Sequence, residues 1–334
     1  MRQSNQRTDA DSGFRCTLQA IFLLLVIAMA ILLDPESAPG QSGRKPAPPK
    51  AARPAAIDPT DFAAIRKAGN AIRPLHLKMG KPKPGDWLAH HKESGQTFDE
   101  FMRDHKQRDR DQFQTMYVQP LGEFEGTQAK LLEQTADFLG RFYGMPVKTL
   151  DTYTLDKLPK SARRLHPEWN DPQILSTYIL DHVLKSRRPR DAVAVLGLTA
   201  SDLWPGEGWN FVFGQASLTD RVGVWSIYRF GDSDKSADDY KQCLRRTLAT
   251  AVHETGHMLG IPHCIAYECG MNGSNSLPES DSRPLEFCPE CQEKVWWTCG
   301  VEPIGRYRNL LEFAEKHQLN EEAAYWKKAL ERLK

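Results

Sequence analysis

The sequence predicts an α+β fold in which a mixed, twisted sheet backs one long helix. The first reason is segment order: a strand, two helices and three more strands precede that helix, without strict alternation. The second is composition, because the strand segments are rich in β-branched and aromatic residues. The third is apolar spacing, since Leu244, Leu248, Val252 and Leu259 fall on one side of the long helix. That side is expected to pack against the sheet.

Local signals predict the elements of this fold. Strands are predicted at 116–121, 191–198, 210–217 and 222–230, and helices at 127–143 and 172–185. The long helix is predicted to begin near Ser236, with two acidic residues in its first turn. The stretch 199–209 contains Gly and Pro and is predicted to be a loop.

The long helix carries the segment HETGHMLGIPH, residues 253–263. His253 and His257 are four residues apart, so both imidazoles lie on one helix face and can bind one metal ion. Gly260 can adopt a positive φ angle, which lets the returning chain supply His263 as a third ligand. Three protein ligands leave one position open for water, as in catalytic zinc sites. Glu254 is then the candidate base that activates a zinc-bound water.

Four cysteines follow in two close pairs. Cys264 and Cys269 are separated by four residues, and Cys288 and Cys291 by two. Both spacings suit thiolate ligands of one structural zinc ion, which would order the Gly-, Asn-, Ser- and Pro-rich loop between the pairs. Disulfides are the alternative, and export of the chain would favour them.

The run HETGHMLGIPHC, followed by CGMN and FCPEC, resembles the archaemetzincins, a branch of the metzincin zinc peptidases. In that family the histidine segment runs straight into a four-cysteine second zinc site. The resemblance implies a metzincin-like, zincin-like fold with a four-cysteine zinc loop after the active-site helix. It also implies that the three histidines bind catalytic zinc, that Glu254 is the base, and that the four cysteines hold a structural zinc ion. Met271 would be the turn methionine below the catalytic zinc, and simple filling of the core is its alternative.

The resemblance extends more loosely back to about Tyr117 and does not cover the N-terminal third of the chain. In the resembled fold the edge strand of the sheet runs along the substrate cleft. Residues 211–217 are therefore expected to border the cleft, where an extended peptide could add to the strand edge. An ordinary core strand is the alternative.

The charge balance gives no support for nucleic-acid binding. The 334 residues include 44 Lys and Arg against 43 Asp and Glu, a formal net charge of +1. In the cysteine loop, the acidic residues Glu279, Asp281 and Glu286 outnumber Arg283. The loop therefore lacks the basic cluster of a zinc module that binds nucleic acid.

The N-terminus has the pattern of an export signal. Arg2, Arg7 and Arg15 precede an almost wholly apolar run at 18–33. Residues 1–33 are predicted to be a signal peptide or an uncleaved signal anchor, and residues 34–58 a Pro/Ala-rich linker. The chain is accordingly expected to be exported, either secreted or periplasmic, or tethered to a membrane through residues 18–33.

Helical segments flank the predicted catalytic region on both sides. Residues 59–115 are predicted to be a helical N-terminal extension, with a capping box at Thr97. Residues 116–301 are the predicted zinc metallopeptidase domain. Residues 302–334 are predicted to form two short packing helices, with Asn320 as the cap between them.

These observations predict a zinc-dependent peptidase. It would hydrolyse a peptide or protein substrate and hold two zinc ions per chain, one catalytic and one structural. The alternative is a non-catalytic, zinc-stabilised module that binds a peptide or another partner.

Overall fold

The computed structural model of the protein describes residues 61–105 and 109–334. The predicted signal or anchor at 1–33 and the predicted linker at 34–58 lie outside these residues. Across the two described ranges, none of the helices combines the length and the apolarity that crossing a membrane requires.

The strands are short. In chain order they are β1 Thr115–Leu121, β2 Val147–Thr149, β3 Arg163–Leu165, β4 Pro172–Leu175, β5 Ala192–Thr199, β6 Asp202–Trp204, β7 Gly214–Ala216 and β8 Val222–Ser226. Among the described residues, five of them form a sheet in the order β2–β1–β5–β8–β7, and the other three form a sheet in the order β3–β4–β6. In the larger sheet β7 runs antiparallel to β8, whereas the other neighbours are parallel. The sheet is therefore mixed, as predicted.

The helices vary from single turns to six turns. They are α1 Phe62–Ile72, α2 Trp87–His90, α3 Phe98–Asp104, α4 Gly126–Tyr143, α5 Ser176–Tyr178, α6 Lys185–Arg187, α7 Ala237–Met258, α8 Leu277–Asp281, α9 Pro289–Cys299, α10 Pro303–Lys316 and α11 Asn320–Arg332. A π-helical stretch, Ile179–Leu184, joins α5 to α6. Single 3₁₀ turns occur at Arg73–Leu75, Leu155–Lys157 and Lys160–Ala162.

Helices cover both faces of the larger sheet. Successive residues of β5 point to opposite faces, so Leu196 belongs to the core that includes Phe138 of α4 and Leu248 of α7, whereas Val195 belongs to the core that includes Ile179. All five side chains are fully buried. The strand therefore reads as a continuous apolar run, as expected for a parallel strand that is covered on both sides.

Two helix starts agree with their sequence signals. The Ser236 hydroxyl accepts a hydrogen bond from the Asp239 amide at 3.1 Å and begins α7. Thr97 and Glu100 form the predicted capping box at the start of α3. Both predictions are confirmed.

The predicted helix at 172–185 is wrong at its start. Residues Pro172–Leu175 form β4, and the helical segment begins directly after it. β4 pairs in parallel with β6, which lies inside the stretch 199–209 that the sequence predicts to be a loop. Across this pair the Gln173 amide donates to the Asp202 carboxylate at 2.7 Å. The sequence pattern did not reveal this pairing because the two partners are far apart in the chain.

Other boundaries differ by smaller amounts. The strand predicted at 210–217 spans only Gly214–Ala216, because as an edge strand it pairs with β8 over three residues. The loop between the cysteine pairs contains the short helix α8. Asn320 is the first residue of α11, and Leu319 occupies the cap position.

The C-terminal helices pack against the cysteine loop through a buried ion pair. Arg306 of α10 lies with its Nη2 atom 3.2 Å from Glu286 Oε1, and neither side chain is more than 4% exposed. The Trp326 indole of α11 donates to Glu286 Oε2 at 2.6 Å. The Glu286 carbonyl in turn accepts from the Gly270 amide at 2.9 Å. These helices therefore brace the loop that carries the cysteines.

We expect Arg306→Met to lower the free energy of unfolding by about 3–5 kcal/mol, because it leaves the Glu286 carboxylate buried without its counter-charge. Urea unfolding followed by circular dichroism measures this loss. The double variant Arg306→Met/Glu286→Gln removes both charges and keeps an acceptor for Trp326, so it is expected to recover part of the stability. A single variant within about 1 kcal/mol of wild type would contradict the bracing role.

Candidate metal centres

Helix α7 and the turn after it bring the three predicted histidines together. His253 and His257 lie one turn apart on the same face of α7. Gly260 has a φ of 83°, so the chain leaves the helix sharply. The ring centroid of His263 then lies 5.2 Å from that of His253 and 4.9 Å from that of His257. The three imidazoles thus surround one point.

Hydrogen bonds from Nδ1 orient these rings. His253 Nδ1 donates to the Gly270 carbonyl at 2.8 Å, and His257 Nδ1 donates to the Ile261 carbonyl at 2.8 Å. Since a carbonyl oxygen can only accept, the proton lies on Nδ1 in both rings, which leaves the Nε2 lone pair for a metal ion. The third ring, His263, is held by a carboxylate described below.

The histidine nitrogens fit a zinc ion. The Nε2 atoms of His253 and His257 are 3.0 Å apart, and one nitrogen from each of the three rings lies within 4.8 Å of the others. Tetrahedral zinc with nitrogen ligands at about 2.0–2.1 Å separates those ligands by about 3.3 Å. Burial also lowers the pKa of His253 well below its ordinary value and that of His257 to about 4. The neutral rings that metal binding requires are therefore favoured.

Glu254 is buried at the wall of a cleft of about 520 Å³ that the three histidines also line. Residues 211–216, including β7, line the same cleft, as the sequence predicts. The strand passes so close that a Cβ at Gly214 would lie 2.4 Å from Glu254 Oε1. Only a residue without a side chain permits this approach.

Burial raises the pKa of Glu254 to about 8. A pKa near neutral pH suits a group that must both accept and donate a proton. A dication held by the histidines would favour the carboxylate and oppose the shift.

The four cysteines form a second, fully buried cluster. One Sγ atom from each of Cys264, Cys269, Cys288 and Cys291 lies within 4.8 Å of the others, and the Cys264 and Cys288 sulfurs are 3.6 Å apart. A disulfide would require about 2.05 Å, whereas tetrahedral zinc with thiolates at about 2.3 Å separates them by about 3.8 Å. Burial raises the pKa of the Cys269 thiol, a penalty that a bound cation removes. The geometry therefore fits a metal ion.

Met271 packs against α7 and follows Cys269 by two residues. Its side chain is fully buried, and a Cβ at Gly256 would lie 2.4 Å from its sulfur. The Met271 carbonyl accepts from the Cys264 amide at 2.8 Å. The methionine therefore packs against the helix segment between His253 and His257.

Two further contributors come from the N-terminal extension and were not assigned from the sequence. Glu93 Oε1 lies 2.6 Å from His263 Nδ1 and also accepts from the Trp87 indole at 2.9 Å. The Trp87 ring packs edge-on against His263, with centroids 5.2 Å apart, and lines the cleft. A carboxylate on the second nitrogen of a metal-binding imidazole fixes the ring and raises its basicity. No local motif surrounds Glu93, so only the fold could reveal this contact.

The chain is similar to known proteins. The family model described as "Peptidase family M54" matches residues 179–296. The chain is 32% identical to archaemetzincin-2 of Rattus norvegicus over 78% of this chain and 80% of that protein. It is also 32% identical to archaemetzincin-2 of Homo sapiens, over 75% of this chain and 77% of that protein. A crystal structure of an archaemetzincin from Archaeoglobus fulgidus, complexed with malonate, superimposes with a TM-score of 0.43 and 31% identity, over 54% of this chain and 99% of that one.

We expect Glu93→Ala to weaken zinc binding at the histidines by about 10- to 100-fold, because His263 loses the partner that orients it. Competition with a chelator measures the affinity, and the thiolate absorption of cobalt-loaded protein reports the cysteine cluster separately. Glu315→Ala, an exposed position on α10, is the matched control and should bind zinc as wild type does. Equal affinities for wild type and Glu93→Ala would contradict the role given to Glu93.

Proposed function

Because this chain belongs to the archaemetzincin family and is therefore a zinc metallopeptidase, we propose that it hydrolyses peptide bonds at the three histidines with Glu254 as general base. The observation that carries this proposal is the convergence of three imidazole nitrogens within 4.8 Å, in the same cleft as a buried carboxylate. We also propose a metzincin-like fold, which is supported by the sheet that backs α7, the glycine turn and the position of Met271.

His253, His257 and His263 would hold the catalytic zinc. A zinc ion bound there would polarise the scissile carbonyl and acidify the attacking water. Glu254 accepts the proton from the attacking water and delivers it to the leaving amine. The close approach of Gly214 contributes to the burial of this carboxyl group beside the metal ligands.

The substrate would bind in extended form along β7. This strand ends the order of the larger sheet, so its outer edge faces away from β8, and residues 211–216 line the cleft. An extended peptide can add to such an edge by main-chain hydrogen bonds. The reacting carbonyl would then lie beside Glu254. This geometry supports a peptide or protein substrate, whereas the non-catalytic binding module makes no use of Glu254 and is not favoured.

The four cysteines would hold a second zinc ion with a structural role, and Met271 would form the floor below the catalytic one. The four buried cysteines flank the loop that also orients His253 through Gly270. Ordering this loop therefore supports the catalytic site directly. Zinc binding would protect these thiolates if the chain is exported to an oxidising compartment, where disulfides are otherwise favoured.

We keep the sequence-based proposals for the ends of the chain. Residues 1–33 would direct export or anchor the protein to a membrane, with residues 34–58 as linker. Residues 116–301 would be the peptidase domain, flanked by the extension at 59–115 and the helices at 302–334. The roles of Glu93 and Glu286 support a catalytic domain that depends on both flanks.

We expect Glu254→Gln to keep its zinc and to lose cleavage of a mixed peptide library by about 100-fold or more, because the base is removed and the ligands are not. Mass spectrometry of the library identifies the cuts made by wild type, and metal analysis verifies zinc in both proteins. The positions of the wild-type cuts also distinguish removal of terminal residues from internal cleavage. Cleavage by the variant at the wild-type rate would refute the role of Glu254.

We expect Cys288→Ser to reduce bound zinc from about two ions to about one per chain and to lower the thermal midpoint, because three thiolates hold the structural ion poorly. Metal analysis and thermal unfolding are the measurements. Cys299→Ser, outside the four-cysteine cluster, is the control and should retain both ions. Disulfides among the four cysteines in the purified wild-type protein would overturn the second zinc site.

A further inference from the structure

Arg283 is the one lysine or arginine that lines the catalytic cleft among the described residues. It lies in the cysteine loop, next to Pro284 on the cleft wall. Ala249 and Thr250, which precede His253 by about one turn of α7, line the same cleft together with the metal ligands.

The backbone of Arg283 is held in place. Its amide donates to the Ser280 carbonyl at 3.0 Å, and its carbonyl accepts from Arg245 Nη2 at 2.9 Å. The side chain is 16% exposed. The guanidinium is thus largely removed from water and presented by a fixed segment of chain.

The hydrogen-bonding capacity of this guanidinium is unused within the described part of the chain. Its Nε atom is buried without a hydrogen-bond partner there. Its Nη1 and Nη2 atoms lie 3.9 Å from Glu268 Oε1 and 3.7 Å from Glu279 Oε1, which is beyond hydrogen-bond distance. Glu279 instead accepts from the backbone amides of Trp87 and Asn275, at 2.9 and 2.8 Å. The Glu268 and Glu279 carboxylates therefore lie near the positive charge of Arg283, but neither accepts a hydrogen bond from its guanidinium.

Neighbouring arginines behave differently. Arg246 donates to both oxygens of Asp281 at 2.6–3.2 Å and to the Phe230 carbonyl at 2.8 Å. Arg245 donates to Glu322 at 2.8 Å. These two side chains are hydrogen-bonded within the fold, whereas no described group accepts a hydrogen bond from the Arg283 side chain.

We propose that Arg283 binds a carboxylate of the peptide substrate, so that the enzyme prefers peptides that carry a carboxylate next to the scissile bond. This inference rests on the proposed peptidase function. The planar fork of a guanidinium matches a carboxylate with two parallel hydrogen bonds, and a half-buried site strengthens them. Two sources supply this group: an Asp or Glu side chain, and the free C-terminus of a short peptide.

The experiment compares peptides that differ in one carboxylate. The first arm pairs Glu with Gln at each position on either side of the cut site, with both peptide ends blocked. The second arm pairs a free C-terminus with a C-terminal amide at increasing distances from the cut. We expect the zinc-loaded full-length wild type to show a kcat/KM about 10- to 100-fold higher for the carboxylate at one position, as for a charge-assisted hydrogen bond. The arm that shows this preference identifies the source.

Variants attribute the preference to Arg283. Arg283→Gln should abolish it by reducing cleavage of the carboxylate peptide alone, and cleavage of the Gln or amide peptide should stay within about twofold. Arg283→Lys should retain part of the preference, because a point charge replaces a planar fork. Arg308→Gln, an exposed arginine on α10, is the matched control and should keep the full preference. Zinc content and thermal midpoint verify that each variant is folded.

A binding measurement separates this inference from the peptidase proposal. Zinc-loaded Glu254→Gln, with and without Arg283→Gln, is titrated with the same fluorescent peptide pairs, and the anisotropy gives Kd. If wild type cleaves no peptide but carboxylate peptides bind about 10-fold tighter through Arg283, the peptidase proposal fails and this inference stands. If wild type cleaves both members of each pair equally and both bind equally, the inference fails and the peptidase proposal stands. An equal loss for both members in Arg283→Gln would also overturn it.

Discussion

Three unprotonated imidazole nitrogens must point at one place for a zinc site of this kind, and much of the structure serves that constraint. Burial and mutual proximity lower the pKa of His253 and His257, so both rings stay neutral. A neutral imidazole still carries one N–H group, which needs an acceptor once it is buried. The three acceptors come from three segments: the turn after α7 at Ile261, the cysteine loop at Gly270 and the N-terminal extension at Glu93.

The two candidate metal centres share the segments of chain that hold their ligands. His263 and Cys264 are adjacent in the chain, and the loop that carries the other cysteines also presents the Gly270 carbonyl to His253. The buried pair of Glu286 with Arg306 fixes the same loop from outside. The buried cysteine cluster, an ion pair and two C-terminal helices thus restrict a polar segment of the chain. Their common effect is to hold the ligand acceptors still.

The close approach of the β7 backbone to α7 shapes the cleft, in addition to the side chains that line it. Gly214 lets the edge strand pass directly over Glu254, which buries the carboxyl group and raises its pKa to about 8. Trp87 of the extension and Arg283 of the cysteine loop also line this cleft and contribute an aromatic ring and a cation. A peptide that lies along β7 would therefore meet the base, the metal ligands and a carboxylate-binding group within one groove.

The sequence by itself determined the parts that depend on neighbours in the chain. The spacing of His253, His257 and His263 predicted their convergence, because a helix period and one glycine turn are local geometry. The capping box at Thr97 and the helix start at Ser236 were equally local. Only the tertiary structure decided the features that depend on contacts between residues far apart in the chain. The strand β4 was predicted as helix, because its partner β6 lies in an apparent loop. Glu93 reaches His263 across 170 residues, and the unused donors of Arg283 appear only once Glu268 and Glu279 are in place. Such contacts leave no periodic trace in a single sequence, because the fold and not the spacing brings the partners together.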